Sequence, residues 1–280
     1  MHAPRIFHAQ QLTIVSLSVC WLSTIMIMTL PMYDYPEFRE ATDCWAAAIA
    51  RFAGADVVLS RPHDYAAAWS RGDLVFSQTC GYPFTHAFRN SLLLVGTPHY
   101  MAPGCDGMRY SSRVFARDRR PLADYRGCIA AVNTADSMSG MLALKSFFAG
   151  LAPDGRFFGR AILSGGHINS LASLQRAEAD VCAIDAVCVA YVRHYQPHLL
   201  EGLCDLGETI QVPGLPYVTR DADVRRWQDA VTAAAGDAAL ADVRSCLMIG
   251  GFTLTSPGDY DVIPALETAV DQKGGLHLLD

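Results

Sequence analysis

Two hydroxyls one residue apart, Ser137 and Ser139, with Met138 between them and Gly140 after, are the side chains here best arranged for chemistry, together with a histidine behind a glycine pair, Gly165-Gly166-His167. The chemistry they suit is the holding of an oxyanion. Hydroxyls and backbone N–H groups donate hydrogen bonds, and the first N–H groups of a helix lack internal partners and sit at the positive end of its dipole. The stretch Cys128 to Phe148 supplies such a start. Cys128 to Val132 is a short apolar run that suits a buried strand, and Met141, Leu142, Leu144, Lys145 and Phe148 then fall at helical spacing. Between them Asn133, Thr134, Asp136, Ser137, Ser139 and Gly140 supply capping side chains and open backbone, so a helix is expected to start near Ser137. The same residues also read as an ordinary helix capped by Asp136 or Ser137.

The elements around this junction repeat its logic. Ile25 to Met32 reads as a core strand ending at Tyr33, and Asp73 to Ser77 as a second ending in Gln78-Thr79-Cys80-Gly81-Tyr82-Pro83. Ala161 to Ser164 runs into a turn from Gly165 to Ser170, and Asp180 to Ile184 ends at Asp185. Helices are expected over Phe38 to Gly54, from Phe84, over Leu171 to Ala177, Asp223 to Ala235 and Tyr260 to Val270, with further strands at Ser91 to Val95 and Tyr110 to Ala116. Alternation of this kind predicts an α/β fold with a largely parallel sheet covered by helices on both faces. Ligands bind such sheets at the carboxyl ends of the strands, where the polar residues recur. Each has two readings. His167 contacts ligand or is a turn histidine bonded to a carbonyl; Tyr33, Tyr82 and Tyr110 wall a site or pack at the surface; Asp185 meets a cationic or hydroxyl-bearing group or caps the segment from Ala186.

Composition narrows the function. With 280 residues, 51% of them hydrophobic and 18% charged, the chain can bury one large core or two ordinary ones. Its net charge is −6, and Lys145 and Lys273 are its only lysines, which argues against nucleic acid as a partner. An anion would be held by local geometry against the overall field. The sequence has no GxSxG elbow, HExxH pair or phosphate-binding loop, so neither an enzyme nor a cofactor or metal is expected. Nine cysteines in no tight array read mostly as core thiols, Cys182 and Cys188 among them. Cys80 and Cys105 each sit in a glycine-containing loop, and a disulfide between them is expected if the chain is exported. Leu12 to Met32 is free of charge over a length that can span a bilayer. Residues 1–24 are thus a signal or anchor, which places the protein in the periplasm or on a membrane, or an extension ahead of a start at Met26 or Met28, which places it in the cytoplasm.

In order along the chain, LPMYD, DLVFSQTCGYP, GTPHYMAPGCDGMRYSS, the SMSG helix start, SGGHINS, ADVCAID and TIQVPGLPYVT resemble the substrate-binding proteins of ABC transporters for phosphonate, phosphate and phosphite, over roughly Ile25 to Gly275. The resemblance implies a type 2 periplasmic-binding-protein fold, in which two α/β lobes joined by two crossover strands close on a ligand between them. The crossovers would be Tyr110 to Arg117 and Val212 to Thr219, with residues 25–110 and 216–280 as one lobe and 111–215 as the other. It further implies a monomer that holds a small anionic ligand and delivers it to an ABC-transporter permease, with a cytosolic ligand sensor and an enzyme of cofactor-precursor synthesis as alternatives on the same fold. Ser137 and Ser139 match the family's two serines, His167 its histidine after a glycine pair, and Tyr110 a tyrosine just before a crossover; Tyr65 matches another less closely. Two positions depart from the pattern. Met138 replaces a threonine, and Leu215 stands where aminophosphonate binders carry an acidic residue that meets the ligand amine. Asp136, beside the pocket, would repel an anion unless turned away as a cap.

Overall fold

The computed structural model describes residues 25–274, 277 and 278; the segment 1–24, with its alternative readings, lies outside them. No described helix is long and apolar enough to cross a membrane. Two sheets organise the chain. The first has six strands in the order Ile249–Thr253, Leu93–Tyr100, Tyr217–Thr219, Leu74–Gln78, Met26–Thr29 and Val57–Leu59. The second has five, Cys204–Glu208, Ser112–Ala116, Val181–Asp185, Ile129–Val132 and Arg160–Leu163.

Of the apolar runs read as strands, Leu74–Gln78 and Val181–Asp185 lie inside these sheets, whereas Arg160–Leu163 is an edge strand. Every residue of Leu74–Gln78 and of Val181–Asp185 is buried, as expected of strands covered on both faces. The sheets are mixed, however, and this corrects the expectation of a largely parallel arrangement. Met26–Thr29 runs parallel to both neighbours, as does Ile129–Val132. Ser112–Ala116 and Tyr217–Thr219 run antiparallel to both of theirs. These are the strands that follow the two crossings between sheets, and each enters its new sheet against the prevailing direction. Just before those strands the two crossings lie side by side. Val212 pairs with Tyr110 and Pro213 with Arg109, and Cys105–Asp106 completes a small three-stranded sheet.

Helices pack as their periodicity requires. Arg39–Ala53 buries Trp45 and Ile49 and stops at Gly54, whose φ of 59° glycine adopts without strain. Trp45 Nε1 donates to the Tyr217 hydroxyl at 3.0 Å. Val224–Gly236 packs beside it with Trp227 fully buried against Phe76, ring centroids 5.1 Å apart. One helix starts earlier than its apolar spacing suggests: the turn expected up to Ser170 is already helical, over His167–Gln175 with Gly166 as N-cap. Ser164 fixes this start, its Oγ donating to the Gly166 carbonyl at 3.0 Å and meeting Ser170 Oγ at 2.7 Å. His167 is therefore held on the first turn of a helix.

Candidate functional site in the interlobe cleft

The carboxyl ends of strands from both sheets open into one cleft of about 660 Å³ between the lobes. Its second-lobe wall carries Asn133, Thr134, Asp136, Ser137, Ser139 and His167, and its first-lobe wall carries Tyr33, Asp34, Tyr35, His63, Tyr65 and Trp69.

The helix start opposite the first lobe is built as a donor cluster. Ser137 is the N-cap, its Oγ accepting the Gly140 amide at 2.9 Å, and the helix opens with a wide turn, Met138–Leu142, before continuing as Ala143–Phe148. Ser137 Oγ thus caps the helix, and as an acceptor in that bond it keeps its own proton free to donate. Among the first amides, that of Gly140 goes to Ser137 and that of Met138 faces the Cys80 sulfur, which leaves that of Ser139. Ser139 Oγ lies 2.9 Å from His167 Nε2. Burial pushes His167 down to about 4, so at neutral pH it is an uncharged hydrogen-bonding ring. Among the described residues, three buried side-chain polar atoms lack a well-formed hydrogen bond: Asn133 Oδ1, Tyr110 OH, which faces Ser139, and His167 Nδ1, on a ring that also faces the Ala183 backbone. All three belong to this corner. Asn133 and His167 line the cleft, and the Tyr110 phenol faces Ser139 from behind its floor. Buried polar groups are nearly always satisfied, so unmet demand gathered at one place marks where a ligand belongs.

The opposite flank ties the lobes together. Tyr33 OH donates to Asp185 Oδ2 at 2.8 Å and Tyr35 OH to Cys188 Sγ at 2.8 Å, while the Tyr35 ring stacks on Tyr191 with centroids 3.8 Å apart. Tyr191 in turn donates to Glu37. Asp185 also caps the helix Ala186–Tyr195, accepting the amides of Val187 at 2.7 Å and Cys188 at 3.3 Å. Burial raises its carboxyl to about 6 against the opposing pull of these donors.

Of the residues expected at the site, Ser137, Ser139, His167, Tyr33 and Asp185 come together around the cleft. Met138 and Gly140 lie beneath its surface and Tyr110 behind it. Tyr82 is a correction. Its hydroxyl donates to Glu267 Oε1 at 2.6 Å and its ring stacks on His86, away from the cleft, because the helical turn after Cys80 carries it outward. The expected disulfide is not formed either. Cys80 and Cys105 are free thiols, one facing the amides of Met138 and Tyr82 and the other the backbone of Ala102. Cys188, read as a core thiol, is an acceptor for Tyr35 at the cleft wall. Asp136 does not cap the helix; it is exposed on the wall, and among the described residues no arginine or lysine lines the cleft to offset it. Tyr35, Trp69 and His63 were not singled out by sequence, since none follows an apolar strand or a glycine turn.

The two shifted groups give a pH prediction with opposite signs. Asp185, raised above an ordinary carboxyl, contributes stability present at pH 4 and lost as pH rises through about 6. His167, depressed to about 4, contributes stability present above pH 6.5 and lost as pH falls toward 4. Each contribution is on the order of 3 kcal/mol at 1.36 kcal/mol per unit, so in the wild type the two nearly cancel between pH 4 and 6.5. As pH falls over that range the melting temperature is expected to drop in Asp185→Asn, to change little in the wild type and to rise in His167→Gln. Parallel profiles for the three proteins would refute the assignment.

A second prediction concerns Gly140. A Cβ there would lie 1.9 Å from Asn133 Oδ1 and 2.7 Å from its Cγ, so Gly140→Ala must drive the unbonded Asn133 side chain toward the cleft. Ligand affinity is expected to fall about tenfold, on the order of 1.4 kcal/mol, with little loss of melting temperature because alanine favours the helix. Unchanged affinity would place the ligand elsewhere.

A family model described as "ABC transporter, phosphonate, periplasmic substrate-binding protein" matches residues 27–260. Among solved structures, a binding-protein component of an ABC phosphonate transporter from Pseudomonas aeruginosa, PA3383, aligns with a TM-score of 0.73 at 16% identity, covering 89% of this chain and 87% of that one. PhnD1 from Prochlorococcus marinus in complex with methylphosphonate aligns with a TM-score of 0.71 at 12% identity, over 89% and 98% of the two chains. XAC2383 from Xanthomonas citri, bound to chloride, gives 0.66 at 16% identity over 89% and 98%. These likenesses concern the fold. No curated protein matches the sequence significantly.

Proposed function

Because this chain belongs to the family of periplasmic substrate-binding proteins of phosphonate ABC transporters, and is therefore a solute-binding protein, we propose that it holds a phosphorus oxyanion, a phosphate, phosphite or phosphonate, at the Ser137–Ser139–His167 corner of its cleft. The observation that carries the reading is the gathering of unmet hydrogen-bonding groups at that corner, beside two serine hydroxyls and the first turn of a helix. With His167 uncharged and Asp136 exposed on the same wall, the site suits a singly charged anion held by neutral donors. Met138 and Gly140 shape the turn, Tyr110 offers its phenol from behind Ser139, and Tyr33 and Asp185 serve the tie between lobes. We take the lobes as 25–110 with 216–280 and 111–215, the division that the resemblance implies, and the change of sheet at the paired crossings supports it. Closure is a rotation about those crossings. The protein acts as a monomer in an exported or anchored form, hands its ligand to a permease and performs no chemistry on it.

Thermal shift against phosphate, phosphite and methylphosphonate, with sulfate as control, tests this. A ligand at a hundred times its Kd adds about 2.7 kcal/mol and raises the melting temperature. Absence of any shift across the three phosphorus compounds would overturn the reading, and conversion of a bound compound during incubation would replace it with an enzyme.

A further inference from the structure

Resting on the oxyanion reading, we infer that the cognate ligand is a phosphonate or phosphomonoester bearing a ring-sized organic group, and that this group lies against Tyr65. The cleft is too large for a bare oxyanion. Its 660 Å³ is room for about twenty waters at about 30 Å³ each, and a five-atom oxyanion displaces only a few of them. Pockets of this size otherwise serve ligands that fill several hundred Å³. The lobes already touch on the tied flank, where Tyr33 reaches Asp185 and Tyr35 packs flat on Tyr191. The cleft reaches from the donor corner to the helix Tyr65–Trp69 of the first lobe, where Tyr65, Trp69, Met32 and Leu215 line it beside Asp34, His63 and Asp64.

Tyr65 is the feature that gives the group its class. It lines the cleft yet is 41% exposed, a large ring whose centroid lies 6.3 Å from that of the buried Trp69. The helix that presents it is fixed at its start by Asp64, which accepts the Ala67 amide at 2.9 Å. An aromatic face held in place and open to the cleft is a stacking platform, and a ring covering it gains both apolar burial and the offset geometry that aromatic pairs prefer. Leu215 adds an apolar wall to the same space.

Calorimetric affinities for methylphosphonate and phenylphosphonate, measured on the same preparation, test the inference. Phenylphosphonate is expected to bind at least tenfold more tightly, with that ratio retained in Tyr65→Phe and falling toward one in Tyr65→Ala. Equal affinities in the wild type, or a ratio indifferent to Tyr65→Ala, would overturn the inference while leaving the oxyanion reading standing. Failure of both compounds to bind would overturn this inference, and the oxyanion reading with it only where phosphate and phosphite also fail to bind.

Discussion

Ser139→Ala is expected to weaken phosphorus-oxyanion binding ten- to a hundredfold while moving the melting temperature by no more than a few degrees. The hydroxyl sits 2.9 Å from His167 Nε2 on the first turn of the helix, and Ser137, not Ser139, carries the cap. When Nε2 holds the ring proton, Ser139 Oγ accepts it and is left to donate its own proton outward. An anion placed there gains a charge-assisted hydrogen bond, whose loss costs about 1.5 to 3 kcal/mol. His167→Ala should cost a similar factor, because it removes the ring that orients the hydroxyl. The double variant should cost less than the product of the two, as expected of groups acting through one contact. Calorimetry on the four proteins checks this. A fall in melting temperature with affinity intact would mean that the pair merely secures the helix, and full additivity would mean that the contact between them is idle.

Tyr35→Ala is expected to shift the free protein toward an open arrangement. The side chain makes the hydrogen bond to Cys188 and the stack on Tyr191, worth about 0.5 to 1.5 kcal/mol each, so the balance between closed and open lobes moves by about 1 to 3 kcal/mol. Scattering on ligand-free variant and wild type should show a larger radius of gyration for the variant. Affinity should fall by the same factor as the closed population, because the ligand must then supply the closure. Identical scattering with identical affinity would show that the flank contact contributes nothing to closure.

The contrast between Ser139 and Tyr35 shows what the sequence makes legible. Ser137 and Ser139 follow the buried run Ile129–Val132 and His167 follows the partly exposed edge strand Arg160–Leu163, each through a short stretch rich in glycine and hydroxyls, so period and composition change together at the site itself. The central strands were readable for the same reason. Tyr35 has no such mark. It stands between Asp34 and Pro36, and the sulfur it bonds is 153 residues away, a relation created only when the lobes meet. Tyr82 fails in the opposite way: its position after a strand end is conspicuous, but the direction of a helical turn is decided by partners such as Glu267 near the other end of the chain. Strand direction was misread because alternation along the sequence does not reveal that a chain changing sheets arrives against the grain. The free thiols of Cys80 and Cys105 show that two loops can flank one region while their sulfurs face separate backbones.

The small sheet in which Val212 pairs with Tyr110 has a mechanical meaning. It is the fulcrum of the molecule, and Tyr110 belongs to it while its phenol faces the donor corner. A ligand engaging Ser139, which that phenol faces from behind, would press on the fulcrum instead of pulling on the jaws. Near a fulcrum a small local adjustment is geared up into a large displacement at the far rim, and the orientation of one hydroxyl is enough to be felt there. The protein would then sense the oxyanion at the point of greatest leverage, and leave the outer walls of the cleft free to vary with whatever the oxyanion is attached to.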